Sequence, residues 1–203
     1  MTKKSKIDHY SDKEALDFHI KGKSGKIEIN SSKPLTTKRD LSLAYSPGVA
    51  APVKEIAKNL KDVSDIYVLG RGIHFPIAKE AALKLKELTY IHAEGIPAGE
   101  LKHGPLALMD ENVFVIIINP DDSTYTDTIN SASEIKARGA KIIGISDKKS
   151  DIYDYWIEVP KTEEAFYPLI EIIPIQLLAY YAALEKNTDP DYPRNLAKSV
   201  TVK

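Results

Sequence analysis

The chain has 203 residues, 43% of them hydrophobic and 28% charged, with a formal net charge of −1 and no cysteine. That composition fits a globular protein of one domain plus an extra piece, and it excludes a disulfide framework, a thiolate metal site and a cysteine nucleophile. The near-neutral total hides a division: residues 1–61 hold 13 Lys/Arg and 7 Asp/Glu, whereas residues 62–203 hold 15 and 22.

The basic front piece has scattered lysines without interleaved aromatic residues, which argues against a nucleic-acid partner. No apolar run reaches the roughly 18 residues of a membrane span, and the Lys-rich start lacks the apolar stretch of a signal peptide. The expectation is no membrane and a cytoplasmic location.

In chain order, Ser11-Asp12-Lys13-Glu14 reads as the cap of a short helix through Ala15, Leu16 and Phe18. Lys26 to Ile29 alternates like a short strand. Residues 40–44 and 52–60 read as short helices separated by Ser46-Pro47-Gly48. This front piece holds little that could close a core alone, so it is expected to be an irregular, partly helical extension over 1–61. From residue 62 the texture changes. Ile66-Tyr67-Val68-Leu69 is a buried strand stopped by Gly70-Arg71-Gly72, and residues 76–90 form a helix with Ile77, Ala81, Leu85 and Leu88 on one face. Val113 to Ile118 is a strand, 126–138 a helix ending at Gly139, 141–146 a strand, 155–159 a strand closed by Pro160, and 163–185 a long apolar helix.

Strands alternating with helices predict βαβ units and a parallel sheet, and strands apolar on both faces predict helices on both sides. The expected fold is therefore α/β, a flavodoxin-like parallel sheet flanked by helices over 62–203. Such sheets take ligands beyond the carboxyl ends of their strands.

By spacing alone, Lys84 and Glu87 stand at i and i+3 on a helix, an ion pair worth roughly a few tenths of a kcal/mol. His103 precedes Gly-Pro in a loop, Lys198 sits in a polar tail, and Gly70-Arg71-Gly72 is a weak phosphate-loop signal that fits any tight turn.

Longer blocks say more. Leu69 to Gly72, Ala82 to Glu87, Tyr90 to Glu94, Ala98 to Ala107 and Pro193 to Val202 together resemble the second sugar-isomerase (SIS) domain of glucosamine-6-phosphate synthase. That family moves the amide nitrogen of glutamine to fructose 6-phosphate and isomerises the product to glucosamine 6-phosphate. The resemblance implies that Lys198 forms a Schiff base with the open-chain sugar and that Glu87 moves a proton between C1 and C2. It also implies that His103 opens the ring, often from the neighbouring subunit, and that Lys84 stands close to the base. A carboxylate suits that proton transfer, a lysine imine draws electrons better than a carbonyl, and histidine shuttles protons near neutral pH. The implied partners are a phosphosugar and a second copy of the chain, and the chemistry calls for no metal and no organic cofactor.

Residues 13–58 resemble instead the N-terminus of bacterial malic enzyme, through Ala15 to His19, Gly25 to Glu28, Lys33 to Leu35 and Arg39 to Ala50. The resemblance makes Tyr45 the match of a catalytic acid. The family's metal ligands and dinucleotide domain have no counterpart after residue 60, so malic enzyme activity is not expected. Nor does the chain match the synthase's glutaminase domain or the Ser/Thr-rich phosphate loop of its first SIS domain. Two readings stay open: a partial aminotransferase-isomerase with Glu87, Lys84, His103 and Lys198, or a dimerising phosphosugar-binding module without turnover.

Overall fold

The computed structural model of the chain describes residues 47–195. The helix expected from Ser11, the strand at 26–29, the helix at 40–44, Tyr45 and Lys198 all lie outside the described residues. Five strands make one sheet: β1 (Asp65–Gly70), β2 (His92–Pro97), β3 (Phe114–Ile118), β4 (Lys141–Ser146) and β5 (Tyr155–Glu158). Every pairing is parallel and the order is β2-β1-β3-β4-β5. The register sets Ile66 between Ala93 and Phe114, and Ile145 between Ile118 and Ile157. The order reverses direction at β1, between β2 and β3, as in other doubly wound sheets.

Side-chain alternation divides the strands between two cores. Ile66, Val68, Ile116, Ile118, Ile143 and Ile145 face one cluster, while Tyr67, Leu69, Val115, Ile117 and Ile142 face the other. Helices α1 (Pro47–Asn59), α2 (Phe75–Thr89) and α4 (Tyr167–Glu185) cover the first face. Helix α3 (Tyr125–Lys136) covers the second with the 3-10 turns Ala98–His103 and Pro105–Leu108. The expected α/β sandwich is present.

Helix α1 begins at Pro47, five residues before the expected start, because proline is well tolerated in a first turn. Val49, Val53, Ile56 and Ala57, with Leu60 just beyond, recur at helical spacing and are all buried in the first core. The shift in charge near residue 61 therefore falls between two elements that share one core. Strand β2 has no counterpart among the sequence expectations. It is an edge strand interrupted by Gly95 and Pro97, where the periodic apolar signal is weak.

Helix α4 is long and apolar enough, at a mean hydropathy of 1.4 over an 18-residue window within Glu164–Glu185, to meet the length and composition of a membrane span. Its packing accounts for that: 56% of the stretch is buried, against α1 and α2. Glu171 in its second turn is fully buried with a partner.

Candidate functional site at the amino edge of the sheet

Helix α2 starts with Pro76 in its first turn and buries Ala78, Ala81, Ala82, Leu85 and Thr89, leaving Glu80, Lys84 and Glu87 on its outer side. Lys84 Nζ donates to Glu87 Oε2 at 2.8 Å and lies 3.6 Å from Glu80 Oε1. The bond to Glu87, then the charges of both acids, hold the Lys84 ammonium above its ordinary pKa despite partial burial. The expected i, i+3 pair is present.

The helix ends at Tyr90, which adopts the left-handed conformation with φ 59° and ψ 15°. Glycine or asparagine usually fills this position, and a bulky residue there gives up about 1–2 kcal/mol. Thr89 Oγ1 donates to the Leu85 carbonyl at 2.6 Å and accepts the Ile91 N–H at 3.2 Å, which ties the helix end to β2.

The Tyr90 side chain meets the chain's last described residues. The Arg194 N–H donates to Tyr90 Oη at 2.9 Å, and the Arg194 guanidinium stands 4.0 Å from the ring centre. Upstream, Thr188 Oγ1 donates to the Leu88 carbonyl at 2.6 Å, and Lys186 Nζ donates to the carbonyls of Lys61 and Val63 at 2.7 and 3.1 Å. These bonds bring the segment after α4 back across the end of α2. Beside Tyr90 and Arg194 lies an open cleft of about 510 Å³ whose walls include Leu83, Lys86, Glu87, Tyr90, Arg194 and Asn195. Asn195 is three residues before Lys198 in sequence.

His103 is elsewhere. It closes the 3-10 turn Ala98–His103, beyond the carboxyl end of β2, and pairs with Glu100 Oε2 at 2.7 Å on the surface. Glu87 precedes the amino end of the same strand. One chain thus brings Glu87, Lys84 and the tail together and leaves His103 at the other edge.

The carboxyl edge, where this class of sheet usually takes ligands, is filled by acids. His74 is fully buried; its Nε2 is 2.7 Å from Asp122 Oδ2, and its Nδ1 is 2.8 and 3.1 Å from the two Glu171 oxygens. With both carboxyl groups ionised, both ring nitrogens donate, which is the imidazolium form. Burial alone would lower the ring's pKa, but the bonds and charges of Glu171 and then Asp122 outweigh it, and the pKa is raised. Burial pushes Glu171 up, with only partial relief from His74. Burial acts on Asp122 in the same sense, yet bonds from His74 and Thr124 hold it below the ordinary carboxylate value. Next to this group, Tyr167 Oη and the Asp121 N–H both donate to Asp147, at 3.0 and 2.7 Å. Sequence reasoning missed His74, Asp122 and Glu171. The available signal was Glu171, an acid inside the apolar run Leu169 to Leu178, because a charge on such a face needs a buried partner.

Comparison with known proteins agrees with this architecture. The chain is 50% identical over 152 residues to glutamine–fructose-6-phosphate aminotransferase [isomerizing] of Thermococcus kodakarensis, a match covering 74% of this chain and 25% of that protein. With the same enzyme of Pyrobaculum aerophilum it shares 49% over 166 residues, covering 80% and 28%. The chain therefore spans about a quarter of the length of the curated relatives it matches. Among solved structures, the C-terminal domain of glucosamine-fructose-6-phosphate aminotransferase from Francisella tularensis superposes with a TM-score of 0.67 at 35% identity, covering 75% of this chain and 46% of that one. Tagatose-6-phosphate ketose/aldose isomerase from Escherichia coli, 21% identical with a TM-score of 0.66, shares the fold. The malic-enzyme resemblance lies almost wholly before the matched span and gains no support. With the parallel order β2-β1-β3-β4-β5 and a family model described as the SIS domain matching residues 59–186, the chain belongs to the SIS domain family.

Proposed function

We propose that this chain is the sugar-isomerase portion of a glutamine–fructose-6-phosphate aminotransferase, working on fructose 6-phosphate in its open form. The Lys198 amine condenses with the C2 carbonyl and releases water. Ammonia, which the glutaminase portion of such an enzyme releases from glutamine, displaces the Lys198 amine from C2, and Glu87 takes a proton from C1 of the resulting imine. The electron pair moves into a C1–C2 double bond and the imine nitrogen gains a proton. Return of a proton to C2 and loss of the C1 hydroxyl proton leave an aldehyde at C1 and an amine at C2. The carboxylate that leaves C1 protonated can supply C2 without redox change. Lys84 holds Glu87 in place by its 2.8 Å bond.

The observation that carries this reading is the attachment of Arg194 to Tyr90 beside Glu87. It starts the last stretch of chain at the cleft, and Lys198 follows Asn195 by three residues in sequence. Ring opening by His103 then calls for the histidine of a second copy, so the working form is a cytoplasmic homodimer. Dimerisation is tested by light scattering at micromolar concentration, where a monomer mass would rule it out.

The decisive experiment is intact mass after borohydride reduction with fructose 6-phosphate, for the chain and for Lys198→Ala. An adduct of sugar phosphate that needs Lys198 supports the isomerase. Its absence at millimolar sugar favours the second reading, a phosphosugar-binding module without turnover. The observation on that side is His103, which one chain holds on the surface paired with Glu100 and away from Glu87.

A further inference from the structure

Three non-glycine residues among those described have a positive φ: Asn187 at 55°, Asn195 at 61° and Tyr90 at 59°. Asparagine tolerates this conformation; tyrosine does not. Glycine at position 90 would end α2 with less strain, so the tyrosine's side chain must do something that a better helix terminator could not. Both parts of that side chain are engaged by one residue. The phenol oxygen accepts the Arg194 N–H at 2.9 Å and the ring lies under the guanidinium at 4.0 Å. The left-handed turn sends the chain into β2 while the ring stays at the cleft, where Tyr90 and Arg194 form the wall next to Glu87.

We propose that Tyr90 is a positioning residue, whose phenol and ring together fix the Arg194–Asn195 corner of the tail against the wall of the Glu87 cleft. The catalytic consequence rests on the isomerase reading; the clasp itself does not. A backbone hydrogen bond sets the height of the tail, and a planar cation over a ring sets its angle. Together they define the direction in which the tail leaves Asn195.

Two readouts separate the clasp from the chemistry. Limited trypsinolysis of the full chain reads the clasp, because cleavage after Arg194 requires its guanidinium to leave the ring and its backbone to straighten. Tyr90→Asn, which accepts the left-handed turn and therefore folds, is expected to be cut at Arg194 about tenfold faster than the parent, with other cuts unchanged. Tyr90→Phe keeps the ring and falls between. C1 proton exchange of fructose 6-phosphate in heavy water reads the chemistry. Tyr90→Asn is expected to lower kcat for exchange about tenfold with little change in KM, and Tyr90→Phe to recover most of it. Cutting at the parental rate in both variants overturns the clasp. Faster cutting with undiminished exchange overturns the positioning role. A parent chain that exchanges no proton overturns the isomerase reading and the catalytic half of this inference, while the cut at Arg194 still decides the clasp.

Discussion

Glu87 and His103 stand at opposite ends of one strand: Glu87 lies five residues before β2 opens at His92, and His103 six residues after it closes at Pro97. A six-residue strand is roughly 20 Å long, too far for one fructose 6-phosphate to touch both side chains. If both serve one sugar, they come from different chains.

Complementation tests that arrangement. Glu87→Gln and His103→Asn are each expected to abolish C1 proton exchange when expressed alone. Coexpressed, half of the dimers are mixed, and each mixed dimer of two-fold symmetry has one of its two sites intact. The pooled protein should regain about a quarter of parental exchange. No recovery would mean that the two residues do not meet across a dimer, and exchange kept by His103→Asn alone would mean that His103 is an ordinary surface residue.

The Lys84–Glu87 bond separates structural from chemical value. Both side chains are about a third exposed or less, at 30% and 27%, so the pair contributes at most about 1 kcal/mol to stability. Lys84→Met should shift the melting temperature by no more than ~3 °C. Exchange should nevertheless fall about tenfold or more, because Glu87 loses the bond that fixes its rotamer and the cation that faces it. Unchanged exchange would identify the pair as the plain surface contact that its spacing describes.

Much of this fold is legible in the sequence, and the failures have physical causes. Strands β1, β3 and β4 announce themselves as continuous apolar runs because helices cover both of their faces. Strand β2 is hidden by Gly95 and Pro97. Gly95 is forced by packing: a Cβ there would stand 2.7 Å from Lys79 Cα, where α2 crosses the strand. Pro97 is admissible because β2 is an edge strand with β1 as its neighbour. The site is legible in a different degree. Lys84 and Glu87 are paired by helical spacing alone. Tyr90 and Arg194 are 104 positions apart, and only the return of the chain after α4 brings them together. The same holds for His74 and Glu171, 97 positions apart.

That buried histidine gives stability a pH dependence of definite sign. His74 faces Asp122 from the loop after β3, Glu171 from α4, and edge-on the Tyr167 ring, which in turn is bonded to Asp147. The folded pKa of His74 lies above its ordinary 6.5, so its contribution is complete below pH 6.5 and is lost as the pH climbs through the folded value. Asp122, held below 3.8, contributes above that value and loses its contribution only in strong acid. Glu171, raised above 4.5 by burial, acts against the folded state once ionised, and most of all when His74 is neutral. On the alkaline side His74 and Glu171 therefore push in the same direction. The melting temperature is expected to be lower at pH 8.5 than at pH 6.0 by at least ~2 °C. Glu171→Gln keeps a hydrogen-bonding partner for the ring but removes one of its two charges, and should flatten this slope. His74→Ala leaves two carboxylates buried without their cation, at a cost of about 3–5 kcal/mol, and should melt lowest at neutral pH. Equal melting temperatures for the parent at the two pH values would mean that the His74 ring is neutral in the folded chain, with one of the carboxylates carrying the proton in its place.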